Sequence, residues 1–152
     1  MPEDEWSLDF ALFPRSARGV LLCLEPCGLR GSCRLGIAVE RLEPDGSAHF
    51  EIECPADHRE TPDLAHGTWT AAIMSEMSGH LPLLMEEVAF LGTLTVRFQQ
   101  PVPMGEQLIG RATLEGRERR KLFVDTVLLS TTGMELAKAS AIMITAQAPP
   151  TA

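Results

Sequence analysis

One stretch of the chain combines residue types that could carry out chemistry. The segment AHGTWTAAIMSEMSG (65–79) opens with His66-Gly67 and holds a single carboxylate, Glu76, among small and apolar residues. The N–H groups of a first helical turn lack partners within the helix and lie at its positive end, so Gly67 could stabilise an oxyanion there. His66 could orient a substrate carbonyl, or it could be an ordinary N-cap. A His-Gly pair alone leaves both interpretations open.

Glu76 lies on a predicted helix with two unlike sides. At about 100° per residue, bulky residues gather on one side and small residues on the other, so the pattern predicts a helix buried all round. A carboxylate there is costly unless it has a partner. Glu76 is therefore either paired, with Arg97 and Arg111 as candidate partners, or a general base, and pairing is the favoured interpretation. The bulky side comprises Trp69, Thr70, Ile73, Met74 and Met77, and the small side Thr68, Ala71, Ala72, Ser75, Ser78 and Gly79.

Alternating apolar residues predict the strands that hold this helix. Residues 35–54 form a hairpin around Asp45-Gly46, and four β-like runs follow the helix at 92–100, 106–116, 120–130 and 134–146. Their short connections predict antiparallel neighbours, and hence two strands, one helix and a four-stranded meander. A central helix enclosed by a curved antiparallel sheet would account for the pattern.

The chain divides into three predicted parts. Residues 1–32 comprise an accessory amphipathic helix, with Trp6, Phe10 and Phe13 on one side, and a loop. The main domain covers 33–147, and a disordered tail covers 148–152. The length of 152 residues suits one domain.

Composition excludes several classes of function. A net charge of -8 argues against binding to nucleic acid or an anionic membrane surface, and no apolar run approaches a membrane span. The acidic start, MPEDEWSLDF, is unlike a secretory signal, so we expect a cytoplasmic protein. The four cysteines, at 23, 27, 33 and 54, have spacings that fit no zinc pattern, which favours reduced thiols over a metal site.

Larger stretches of the sequence resemble one family. PDLAHGTWTAAIMSEMSGHL, FLGTLTVRFQQPVPMGEQLIGRATL and LSTTGMELAKASAIMI are similar to hotdog-fold acyl-CoA thioesterases, particularly the small thioesterases of the phenylacetate-pathway type. The likeness runs from about Cys33 to Thr145. It implies an α+β hotdog fold with a long central helix, and protomers paired edge to edge as a homodimer or dimer of dimers. It also implies cleavage of acyl-CoA at the dimer interface without a metal or organic cofactor.

The resemblance also assigns site residues, with departures. The oxyanion donor falls on Gly67 and the acid on Ser75, which is not a carboxylate. Thr68 replaces a second glycine, and Leu91 stands where many relatives have a serine or threonine that positions water. Glu76 is the nearest carboxylate, although one residue along a helix turns a side chain by about 100° and advances it about 1.5 Å.

A basic run gains a role from the same resemblance. Five of the thirteen lysines and arginines fall between Arg111 and Lys121. On charge alone they are either an anion site or a solvated hairpin tip. CoA carries phosphates that arginine contacts well, which predicts a phosphate-binding patch of four residues: Arg117, Arg119, Arg120 and Lys121.

Three functions remain open from the sequence. The first is an acyl-CoA thioesterase using His66, Gly67, Ser75 and Glu76. The second is a non-hydrolytic hotdog protein that binds acyl-CoA or another apolar ligand and has lost the catalytic acid. Hydration of enoyl thioesters ranks last, because His80 lacks the aspartate that usually accompanies it on this helix.

Overall fold

A computed structural model describes residues 33–146, which form one α-helix and an antiparallel sheet. Six strands form the sheet in the order β1-β2-β6-β7-β8-β5, and two short strands pair separately as β3-β4. In chain order the elements are β1 (Ile37–Leu42), β2 (Ala48–Ile52), β3 (Arg59–Thr61), β4 (Leu64–Ala65), α1 (Gly67–Leu84), β5 (Ala89–Phe98), β6 (Leu108–Glu118), β7 (Lys121–Ser130) and β8 (Glu135–Thr145).

The predicted hairpin around Asp45-Gly46 is confirmed as β1-turn-β2. Gly46 has a φ of 87°, which glycine adopts without steric cost. The Asp45 carboxylate accepts hydrogen bonds from the backbone N–H and the hydroxyl of Ser47, at 2.9 and 2.6 Å, and these bonds lower the pKa of Asp45. Local side-chain bonding thus fixes the turn that the sequence indicates.

The predicted four-stranded meander is wrong in one respect. Strands β6, β7 and β8 are consecutive neighbours, but β5 pairs with β8 at the far edge of the sheet and not with β6. The segment after β5 bonds to the β3-β4 hairpin instead, because Ala65 N–H donates to Val102 O and Met104 N–H donates to Asp63 O. The connection therefore runs past the start of α1 on its way to β6.

Helix α1 confirms the predicted helix and extends it to Leu84. Its bulky side packs against the sheet through the buried residues Trp69, Ile73, Met74, Met77 and Leu81. The approach to β6 is so close that a side chain at Gly110 would overlap the sulfur of Met77.

The predicted burial of helix α1 on all sides is wrong for a single protomer. Four residues of the small side are half-exposed, namely Ala71, Ala72, Ser75 and Gly79, and Thr68 is exposed. These side chains are too short to fill a gap, so the small side is a surface that another polypeptide could approach closely.

The cysteines that the structure describes have free thiols. Burial raises the pKa of Cys54 to about 11 and also raises that of Cys33, so both favour the protonated thiol. Cys23 and Cys27, the predicted helix with Trp6, Phe10 and Phe13, and the tail 148–152 lie outside the described residues. Between residues 33 and 146, no helix has the length and apolarity needed to cross a membrane.

Candidate functional site

The first turn of α1 is capped by His66. Its backbone is extended (φ -69°, ψ 140°), its Nδ1 accepts from Thr68 N–H at 3.0 Å, and its carbonyl accepts from Thr70 N–H at 3.2 Å. The structure thus confirms the N-cap interpretation. It also leaves a second use for the ring, since an imidazole that accepts at Nδ1 carries its proton on Nε2 and can donate it.

Gly67 supplies the first N–H of the helix, and the residue lines a cleft. No backbone acceptor for this N–H occurs among residues 33–146, as expected for a group that an α-helix leaves without an internal partner. The cleft has a volume of about 380 Å³ and lies between α1, the β3-β4 hairpin and the end of β5. Its lining includes Glu60, Leu64, Gly67, Thr70, Phe98 and Val102.

Ser75 and Glu76 do not join His66 and Gly67 within one protomer. Helix geometry places Ser75 about 80° around the axis from Gly67 and about 12 Å along it, while Glu76 lies about 180° away. Ser75 is half-exposed on the small side. Glu76 therefore does not take the direction that an acid at position 75 would have.

Glu76 is paired, as the favoured interpretation predicted, but with an unforeseen partner. Its Oε1 lies 2.9 Å from Nε2 of His80, and Nδ1 of His80 lies 2.5 Å from Oε2 of Glu40 on β1. The predicted partner Arg111 lies instead beside Asp45, at 3.4 Å. The other predicted partner, Arg97, lies opposite Lys138 in the register of β5 and β8. The spacing of Glu76 and His80 at i and i+4 could have indicated their contact, whereas Glu40 joins through tertiary structure.

The Glu40-His80-Glu76 cluster becomes more buried toward β1. The side chains are 23% exposed at Glu76, 5% at His80 and 0% at Glu40. Both ring nitrogens face carboxylate oxygens, an arrangement that suits an imidazolium donating to both. His80 therefore has two glutamate partners, and its ring is buried against Phe50 and is absent from the cleft lining.

The four basic residues meet around the β6-β7 turn with different surroundings. Arg117 donates to both oxygens of Glu87, at 2.8 and 2.6 Å, and Arg120 donates twice to the carbonyl of Thr145, at 3.1 and 2.9 Å. Arg119 lies in the turn with a positive φ of 54°, and Lys121 is exposed. Glu87 follows the carboxyl end of α1, so this patch lies at the end of the helix opposite Gly67.

The cleft also contains residues that the motif did not point to. Glu60, Phe98 and Gln100 line it with Gly67. They come from separate segments that meet only because the chain after β5 bonds to the β3-β4 hairpin, so spacing in the sequence gives no signal for them. A second cleft, of about 400 Å³, lies on the other face of the sheet and is lined by Glu43, Asp45, His49, Arg111 and Leu129, among others. We call it the outer cleft.

Solved structures decide the fold. A thioesterase superfamily protein superimposes with a TM-score of 0.65 and 18% identity over 70% of this chain, which spans 55% of that protein. The fold is therefore the hotdog fold of thioesterase superfamily proteins. By sequence, the chain matches no family model and no curated protein.

Two structural neighbours were crystallised with ligands. A Streptococcus mutans UA159 protein bound to acetyl-CoA has a TM-score of 0.62 and 17% identity, covering 69% of this chain and 85% of its own. A hypothetical thioesterase from Streptococcus pneumoniae TIGR4 with coenzyme A has a TM-score of 0.65 and 13% identity, covering 72% and 88%.

Proposed function

We propose that this hotdog protein is an acyl-CoA thioesterase, which binds the thioester carbonyl at the amino end of α1 and hydrolyses it to free acid and CoA. The observation that carries the proposal is that Gly67, whose N–H lacks a backbone acceptor among the described residues, lines a cleft at the positive end of an 18-residue helix. The CoA ligands of two neighbours support the substrate class.

The proposed chemistry follows from the charge that develops during thioester hydrolysis. When water attacks, the carbonyl oxygen becomes an oxyanion, and a fixed N–H with the helix dipole behind it stabilises that charge more than the neutral carbonyl. We propose that the Nε2–H of His66, the cap residue that precedes Gly67, orients the carbonyl. The sequence assigns water activation to Glu76 assisted by Ser75.

We propose a homodimer formed at the exposed edge of β5. Leu91 and Phe98 are 44% and 60% exposed there, and an open apolar edge favours pairing with another strand. The half-exposed small side of α1 would admit a second protomer closely. Within one protomer, the basic patch and Gly67 lie at opposite ends of α1, about 27 Å apart. A partner in antiparallel orientation would bring its own basic patch toward this protomer's Gly67.

Within the basic patch, we propose that Arg119 and Lys121 contact the CoA phosphates directly. Arg117 and Arg120 are already bonded to Glu87 and to the Thr145 carbonyl, and we propose that they hold the turn in place. A phosphate would compete with the carboxylate for Arg117, so its contribution to binding would be smaller.

A second candidate function, acyl-CoA binding without hydrolysis, is favoured by Ser75 and by the pairing of Glu76. Neither residue supplies an unengaged carboxylate beside Gly67. The two functions differ in products, because only the hydrolase releases free CoA thiol.

The test is a panel of acyl-CoA esters, including short-chain, long-chain and phenylacetyl thioesters, followed with a thiol-reactive dye. The phenylacetyl ester tests the resemblance to small thioesterases of the phenylacetate-pathway type. We expect thiol release well above the rate without protein for at least one ester. Calorimetric binding of an ester that is not cleaved over hours would favour the second candidate. The absence of both binding and cleavage would contradict both candidate functions. Glu76→Ala in the same assay tests the predicted role of Glu76, which unchanged turnover would eliminate.

A further inference from the structure

We propose that Glu60 is the general base that activates the hydrolytic water, an inference that rests on the proposed thioesterase function. Glu60 lines the same cleft as Gly67. It would supply the group that is missing at Ser75.

The strand pairing sets Glu60 apart from its two neighbours in β3. In the β3-β4 hairpin, Arg59 pairs with Ala65 and Thr61 pairs with Leu64, and the register shifts between the two pairs. Glu60 is therefore the extra residue of a β-bulge. Bulges leave one residue unpaired and redirect its side chain, and they are over-represented beside active sites.

The hairpin is fixed relative to the start of the helix. His66 N–H donates to His58 O at 2.8 Å, and Ala65 N–H donates to Val102 O at 2.8 Å. These bonds flank β3 and the first turn of α1, so the Glu60 backbone is held at a constant position relative to Gly67. A base has to be held in this way to be effective.

The Glu60 carboxylate is also chemically available. Among residues 33–146 it has neither a hydrogen-bond partner nor an ion-pair partner, and it is exposed on the side of the cleft. Glu76, in contrast, is bonded to His80 on the side of α1 facing away from Gly67. The two carboxylates thus differ in both direction and engagement.

The step balances without a further reactant. The Glu60 carboxylate takes one proton from water as the water oxygen bonds to the thioester carbon, and the carbonyl electrons move to the oxygen held by Gly67 N–H. The intermediate then collapses, the C–S bond breaks, and the sulfur leaves with the proton from Glu60. The products are the free acid and CoA thiol, and Glu60 returns to the carboxylate.

The experiment compares three full-length variants on the ester that the wild type cleaves fastest. Glu60→Gln keeps the size of the side chain and one acceptor oxygen but removes the base, so we expect kcat to fall at least about 100-fold while KM stays within about threefold. Glu60→Asp keeps the carboxylate on a shorter side chain and is expected to recover part of that loss. The matched control is Asp63→Asn, an exposed carboxylate of the same hairpin that is absent from the cleft lining.

The outcomes separate this proposal from the proposed function. Thiol release by wild type that is retained in Glu60→Gln, above all if Glu76→Gln loses it, overturns the role of Glu60 and leaves the thioesterase function standing. Equal losses in Glu60→Gln and Asp63→Asn overturn it as well, because they indicate damage to the hairpin. Absence of thiol release by the wild type on the whole panel overturns both proposals.

Discussion

At the scale of single residues, the proposed catalysis depends on one backbone N–H, and a proline substitution can remove that N–H without disrupting the helix. Gly67 is the first helical residue, where proline is well tolerated, and the extended backbone of His66 is the conformation that a following proline requires. We expect Gly67→Pro to lower kcat about 100-fold or more relative to Gly67→Ala, which keeps the donor. A side chain at 67 would meet Phe98 at 3.9 Å, an ordinary contact. Similar kcat values in two variants of similar thermal stability would contradict the role of this N–H.

The sequence predicted part of the site at this scale. His66 and Gly67 could be predicted from the sequence because N-capping is local, so the residues that form the cap are adjacent in the chain. Glu60 could not be predicted, since it belongs to a bulge that only strand pairing creates. The pairing of Glu76 was predicted from the cost of burying a charge, but the choice of arginine partners was wrong because the histidine one helical turn away is nearer.

At the scale of elements, the Glu40-His80-Glu76 cluster ties β1 to α1, and its removal should destabilise the fold. His80→Ala takes away the ring to which the fully buried Glu40 is bonded. Losing one partner of a buried charged pair costs about 3 kcal/mol or more. We expect the free energy of unfolding in urea to fall by about that amount, with His49→Ala, a half-exposed histidine on β2, as the comparison.

A double variant separates the charge effect from the loss of packing. Replacing Glu40 and His80 together by leucine removes both the buried charge and its partner, so it is expected to recover part of the lost stability. A cost for His80→Ala no larger than that for His49→Ala would contradict a stabilising cluster. A double variant less stable than His80→Ala would contradict the charge explanation.

Element types were predictable from the sequence, but their arrangement was predictable only in part. Alternating apolar residues indicated six principal strands, and a bulky side opposite a small side indicated the helix, because burial acts on each element separately. The place of β5 was not predictable from connection length: its successor bonds to the β3-β4 hairpin, and those strands, at three and two residues, are too short to give a periodic signal.

At the scale of the whole molecule, the β5 edge and the small side of α1 predict a homodimer. Leu91→Asp places a charge on the exposed apolar edge, where pairing would have to bury it, so we expect the variant to be monomeric by light scattering while the wild type is at least dimeric. Met134→Asp, at an exposed apolar residue of the β7-β8 turn, is the control and should keep the wild-type mass. A wild-type monomer at micromolar concentration would contradict the shared site.

Binding of the thioester at the amino end of α1 can be followed residue by residue in an NMR titration of the backbone amides. The ligand would be a thioether analogue of the acyl-CoA that the panel selects, which cannot be hydrolysed. We expect the largest chemical-shift changes at the amides of Gly67, Thr68 and the residues around Glu60 and Phe98. Changes confined to the outer cleft, around His49, Ile109 and Arg111, would contradict it.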